Sequence, residues 1–239
     1  MPSGLKRHVT HLFMVPSSSY TQSSIGRKQT VAVTGLLLIL FLIGHLAGNL
    51  LIFGGPDVYN GYAAAMKKMR PVVVVVEVLL FLIFITHIYT TFLLVMENIK
   101  ARPHRYRVER AKGGRSLATR LMPYTGAILL AFVLYHLLDF TLVDHEGARG
   151  ILNGKHYGLY GVVCNAFFDP VHSFLYIIAM ATVGFHLSHG VQSFCQTFGL
   201  SDTRGAEEKI RRFSNAFAVL IGLGFSSIPV YVLVQNFIH

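Results

Sequence analysis

Five apolar stretches, at about residues 31–53, 72–96, 121–143, 170–195 and 213–237, constrain this chain more than any other feature of its sequence. Each is long enough to cross a hydrocarbon layer of about 30 Å as a helix, which takes roughly 20 residues. Lipid offers the backbone no hydrogen-bond partner, so each stretch has to satisfy its own peptide groups and is expected to be helical. The expected fold is an all-α integral membrane protein with five transmembrane helices. With 239 residues, 53% hydrophobic and 13% charged, little length remains for a separate soluble domain. Residues 1–30 read as a cytoplasmic N-terminal segment ahead of a single transmembrane domain over 31–237. That segment is polar, with Ser17, Ser18, Ser19, Ser23 and Ser24, and lacks the apolar stretch and small-residue site of a cleaved signal peptide.

The formal net charge of +10 is distributed in a way that argues against nucleic acid as a partner. Of the Lys and Arg residues, four precede the first stretch, eight lie between the second and third, and four between the fourth and fifth. The opposite side has only Lys67, Lys68, Arg70, Arg149 and Lys155. This asymmetry places the N-terminus in the cytoplasm and the C-terminus outside. On the outer side, Gly54, Gly55 and Pro56 close the first stretch, Tyr59 to Lys68 reads as a short interfacial helix, and Asp144 to Asn165 reads as a longer polar loop. Lys100 to Arg120 forms an Arg-dense cytoplasmic loop suited to docking an acidic or polar partner. Cys164 and Cys195 read as the two ends of one span, too far apart to bond, and as inert.

Ionisable residues inside membrane spans are expensive and mark function. Here the spans hold His45, His87, His136, His186 and His189. A rise of 1.5 Å per residue puts His45 and His136 roughly 20–22 Å from the cytoplasmic ends of their helices, and His87 and His186 roughly 13 Å from that side. The ligands thus sort into an outer pair, His45 with His136, and an inner pair, His87 with His186. Two trans imidazoles at each of two depths suit two haem irons in line across the bilayer. His189 is the alternative inner ligand; His186 is preferred because it matches His87 in depth and has Gly190 four residues on. An internal repeat supports the pairing: Thr34-Gly35 stands nine residues before His45-Leu46, as Thr125-Gly126 does before His136-Leu137, with Lys28 and Arg120 ahead of each. Gly44 and Gly48 flank His45.

These residues resemble the single-subunit, dihaem cytochrome b membrane anchors of succinate dehydrogenases and fumarate reductases, respiratory complex II. The stretches that carry the likeness are Thr34-Gly35 through Phe41-Leu-Ile-Gly-His45-Leu-Ala-Gly-Asn49, the mid-span His87, Phe132-Val-Leu-Tyr-His136, and Phe185-His186-Leu-Ser-His189-Gly190 with Gln196-Thr-Phe-Gly199, within residues 22–237. The resemblance implies a four-helix haem-binding bundle with a peripheral fifth helix, and axial iron ligands at His45, His87, His136 and His186. It implies a flavoprotein partner carrying FAD and an iron–sulfur partner on the cytoplasmic face, in the cytoplasmic membrane of a prokaryote. It also implies a quinone substrate, menaquinone by the dihaem type. No dinucleotide fingerprint or cluster-binding set of cysteines is present, so succinate chemistry itself is not expected of this chain. Some menaquinone-linked members carry a glutamate two residues before the last ligand; here that position is Gly184.

A quinone takes up protons with its electrons, so an acid or hydroxyl is expected near a haem edge. The outer candidates are Tyr59, Asn60, Glu77 and Asp139; the inner candidates, for propionates or a quinone, are Ser24, Arg27, Lys28, Ser116 and Arg120. Two other readings stay open at this stage: the cytochrome b subunit of a nitrate reductase or hydrogenase, and a haem-free scaffold or transporter.

Overall fold

The computed structural model describes residues 23–101, 117–144 and 147–238. Helix α1 spans Ser24–Leu50 and begins where the Ser23 hydroxyl accepts from the Gly26 N–H at 3.0 Å, satisfying one of the orphan donors of a helix start. A 3-10 turn, Leu51–Gly54, leads to Gly55, whose φ of +83° needs a residue without a Cβ. Helix α2, Gly55–Lys68, follows with Pro56 in its first turn, and α3 covers Arg70–Lys100. Helix α4, Leu117–His136, widens into a π turn over Leu137–Thr141. Helix α6, Pro170–Thr197, is capped by the Asp169 carboxylate on the Val171 N–H, and α7 runs Arg204–Ile238.

Five helical segments are long and apolar enough to cross a membrane: residues 24–68, 70–100, 120–141, 170–197 and 204–236. The chain is an all-α membrane protein. Large apolar side chains such as Val75, Phe81, Leu82 and Phe92 on α3 stand exposed, as a lipid-facing surface requires. Close helix packing joins α1 to α3, α6 and α7, and α4 to α6. The most extensive contact is between α6 and α7, where small residues bring backbones together. A Cβ added at Gly184 would meet the Ala218 carbonyl oxygen at 3.3 Å, and one at Gly222 would meet that of Met180 at 3.3 Å. Helix α7 brings no histidine, yet its Ala218 and Ile221 share a core with Leu46, Ala179, Met180, Val183 and Leu187.

The segment read as a polar outer loop is more structured than its composition suggests. After a 3-10 turn at Ala148–Gly150, strands Ile151–Leu152 (β1) and Lys155–His156 (β2) pair in register, Ile151 opposite His156. Asn153 and Gly154 between them have φ of 49° and 79°, the left-handed pair of a type I′ hairpin. Helix α5, Gly158–Phe167, then buries Val162, Val163, Cys164 and Phe167. Ten residues are too few to span, so this apolar run packs as a cap against α2, α6 and α7. Cys164 therefore belongs to α5 and not to a membrane span; it and Cys195 are both free thiols.

Candidate functional site

The helices carry their histidines toward one another across the bundle. The rings of His45 on α1 and His136 on α4 stand with centroids 5.8 Å apart and planes at 81°. His87 on α3 and His186 on α6 lie within electrostatic reach of each other, and His189 is a near neighbour of His186 on the same helix. The pairs join α1 to α4 and α3 to α6.

Around the inner pair the sequence repeat acquires a physical meaning. The Thr34 hydroxyl lies 3.0 Å from His87 Nδ1, and the Thr125 hydroxyl lies 3.1 Å from His186 Nδ1. Each glycine that follows lies beside the same ring: an added Cβ would crowd His87 Cε1 at 3.3 Å from Gly35 and make ordinary contact with His186 Cε1 at 3.7 Å from Gly126. A Cβ at Gly44 or Gly190 would meet nothing within 4 Å.

The outer pair sits among aromatic rings. Phe41 stacks on His45 at 5.4 Å, Phe225 of α7 reaches it at 5.7 Å, and Phe132 stacks on His136 at 5.8 Å. The Asn49 side-chain amide donates to the His45 carbonyl at 2.7 Å and lies 3.3 Å from His45 Nδ1, while its oxygen accepts from Tyr59. Tyr176 of α6 lies 3.5 Å from His136 Nδ1 and donates to Asp139 at 2.9 Å. The π turn after His136 brings Asp139 inward, where it is only 7% exposed; such turns recur at functional sites. Its carboxylate also meets Arg149 at 3.1 Å and His172 Nε2 at 3.0 Å. His172 Nδ1 pairs with the Tyr135 hydroxyl at 2.9 Å. A groove of about 360 Å³ between α4 and α6 runs past Phe132, Tyr135, Tyr176 and Ala179.

Of the outer candidates, Asp139 enters this network. Tyr59 is buried and bonded to Asn49. Asn60 is a clamp between α2 and the cap: its amide donates to the Tyr157 carbonyl at 2.8 Å and its oxygen accepts from the Tyr160 N–H at 3.1 Å. Glu77 stands exposed in an ion pair with Arg70 at 2.7 Å. Among the inner candidates, Ser24 opens α1 and is exposed, Lys28 is exposed one turn on, and Arg27 forms an ion pair with Glu97 that ties α1 to α3. Arg120 lies in the first turns of α4, and Ser116 lies outside the described residues. A groove of about 490 Å³ beside α1, lined by Gly26, Gln29, Thr30, Val33, Thr34 and Phe198, opens near these groups. Sequence reasoning passed over His172, Tyr135 and Tyr176. The signal was available for His172, a histidine in the first turn of an apolar helix six residues after Ala166, and absent for tyrosines, which are ordinary at membrane interfaces.

The architecture defines a class: an all-α membrane protein whose spans turn histidines into a helical bundle, with His45 and His136 ring to ring. Among known proteins, the chain is similar to the succinate dehydrogenase cytochrome b558 subunit of Bacillus subtilis (strain 168), with 26% identity over 166 residues, or 69% of this chain and 74% of that protein. The relative is of the kind that the motifs around the histidines resemble, a complex II membrane-anchor cytochrome b. No family model matches the chain, and no solved structure matches it.

Proposed function

We propose that the chain is the membrane-anchor cytochrome b of a succinate:quinone oxidoreductase, holding two haems b by His45 with His136 and by His87 with His186. The observation that carries this reading is the opposition of His45 and His136. Their ring centroids stand 5.8 Å apart, so the two imidazoles would be available to hold one haem iron between α1 and α4. The donor set fits the group in one further way: a glycine, Gly35 or Gly126, lies beside the ring of each inner histidine. Haem iron between two imidazoles supplies reversible one-electron transfer. The protein's share is to fix the ring planes, surround the outer pair with Phe41, Phe132 and Phe225, and exclude water from both.

In this reading the arginine-rich side faces the cytoplasm, where an iron–sulfur subunit and a flavoprotein with FAD dock, and the cap of α2 and α5 faces outward. Quinone, menaquinone by resemblance, exchanges electrons at the outer pair in the α4–α6 groove. Tyr135 offers its hydroxyl there, His172 stands behind it, and Asp139, ion-paired with the half-exposed Arg149, is the carboxylate placed to exchange a proton with the outer water. A glutamate two residues before His186 has no place in this fold, because position 184 abuts the α7 backbone. The test is a reduced-minus-oxidised spectrum with pyridine haemochrome quantitation on the purified complex. Two b haems per chain are expected; one means that a histidine pair is structural, and none refutes the cytochrome.

A further inference from the structure

We propose that Thr34 and Thr125 are positioning residues for the inner pair: each hydroxyl accepts the Nδ1–H of the histidine opposite it and so presents that ring's Nε2 to the iron. The inference rests on the ligand assignment proposed above. Each threonine spends its own proton on its helix, Thr34 on the Thr30 carbonyl at 2.7 Å and Thr125 on the Met122 carbonyl at 3.1 Å. With those protons on the helix carbonyls, each hydroxyl offers a lone pair to the imidazole, and in the proposed arrangement the ring nitrogen at 3.0 or 3.1 Å is the donor. An imidazole protonated at Nδ1 has Nε2 free, the tautomer a metal needs, and the partner of the outer nitrogen sets that choice.

The neighbouring glycine completes the seat. Cε1 lies between the two ring nitrogens, and it is the atom that rests over Gly35 in His87 and over Gly126 in His186. Each ring thus lies with its Nδ1–Cε1 edge along the Thr-Gly step. The bond of each hydroxyl to a carbonyl of its own helix holds the acceptor direction. The two seats are repeat-equivalent: α1 seats the ligand of α3, and α4 seats the ligand of α6. Each helix pair is then a half-module carrying one outer ligand, one inner ligand and the Thr-Gly seat for the latter. The sequence spacing of nine residues from seat to outer ligand sets the distance between the two depths.

The experiment uses the purified holo-complex with Thr34→Val and Thr125→Val, which keep the shape and delete the acceptor, against Thr34→Ser and Thr125→Ser, which keep it. The readouts are the midpoint potential and low-spin EPR signature of each haem, and haem retention in detergent. A hydrogen-bonded Nδ1–H makes the imidazole a stronger donor. The valine variants are therefore expected to raise the midpoint potential of the inner haem, shift its EPR g values and lower its retention about 10-fold. The outer haem stays unchanged and the serine variants resemble the parent. Thr182→Val, whose hydroxyl bonds only the Ile178 carbonyl on an exposed face, is the control. Should the Thr34→Val complex fail to assemble, Thr125→Val at the less buried position carries the test. A parent with two haems whose inner signals ignore both valines overturns this inference alone. A parent whose haem signals do not respond to His87→Ala overturns the ligand assignment and this inference with it.

Discussion

The inner histidines, His87 and His186, and the outer ones, His45 and His136, belong to one bundle and are surrounded differently. Each inner ring meets a threonine hydroxyl and a glycine, and the arrangement repeats in the two halves of the chain. The outer rings share only aromatic neighbours. His45 has an asparagine of its own helix, while His136 touches Tyr176 and, through it, a buried carboxylate paired with Arg149 and His172. The repeat has the same surroundings at both inner rings and different ones at the outer rings, where one half carries charge. A buried carboxylate is costly to build in a membrane protein, and it stands beside His136 alone of the four histidines.

The largest effects separate the two depths directly. His45→Ala and His136→Ala are each expected to remove the outer haem alone, and His87→Ala and His186→Ala the inner haem alone, so that haemochrome quantitation falls from two per chain to one. His189→Ala is expected to leave both. Loss of both haems from every variant, with the protein still folded, ends the two-depth description. The next largest effect concerns the charged side. Asp139→Leu leaves Tyr176 and Arg149 without their shared acceptor, and the cost of stranding such partners is about 1–3 kcal/mol; Arg149 keeps access to water, which holds the figure below that of a fully buried pair. The loss is expected in the thermal denaturation of the purified complex, together with slowed quinone-linked turnover. Unchanged turnover separates Asp139 from proton transfer and leaves it a structural acceptor.

Much of the inner side was legible in the sequence, because it is written in two regularities that survive without coordinates. Apolar length gives the helices, and histidine depth already sets His45 beside His136, whose rings the fold brings to 5.8 Å. The Thr-Gly repeat was visible as a pattern, but its role was not, since a hydroxyl bonded to its own helix and one bonded to a neighbour look alike in sequence. The outer side was less legible for physical reasons. Asn153-Gly154 announces a hairpin, yet its strands are two residues long and carry no alternation. Helix α5 has apolar residues on nearly every face and is too short to register as a span. The Asp139 network draws on α4, α6 and the turn before β1, and only the fold brings Arg149 and His172 to one carboxylate. Asn60 was read as a polar group near a substrate, and its two bonds to α5 give it a structural task.

A smaller effect tests how tightly the outer side is closed. Gly161 packs so closely that a Cβ would lie 2.2 Å from the Gly150 carbonyl oxygen, a backbone atom that has no rotamer to yield. Gly161→Ala is expected to push α5 from the hairpin and cost about 1–3 kcal/mol, the usual range for overpacking. Proteolysis of the outer loops in membrane vesicles reads this out as faster cleavage. The corresponding glycines of the inner side meet the edges of imidazole rings, so Gly35→Ala is expected to alter haem spectra and leave the outer loops resistant. The same response from both variants removes the distinction between a cap and a seat.

The smallest effect is a chemical one at Cys164. Burial pushes its thiol up to about 11, so at about pH 7.5 on the order of 0.03% is thiolate, the form that reacts with maleimides. The thiol is also enclosed with Tyr59, Phe167 and Val232 under α2. The native complex is therefore expected to leave Cys164 unlabelled at neutral pH, with labelling rising toward alkaline pH only as far as access permits. Gly161→Ala, by lifting α5, is expected to accelerate it. Rapid labelling of Cys164 in the unaltered complex contradicts a closed outer cap, and it also removes the barrier that keeps water from the Asp139 network on that side. The charge held by Asp139 then has a simpler explanation in contact with solvent, and the contrast between the two depths narrows to the threonine seats.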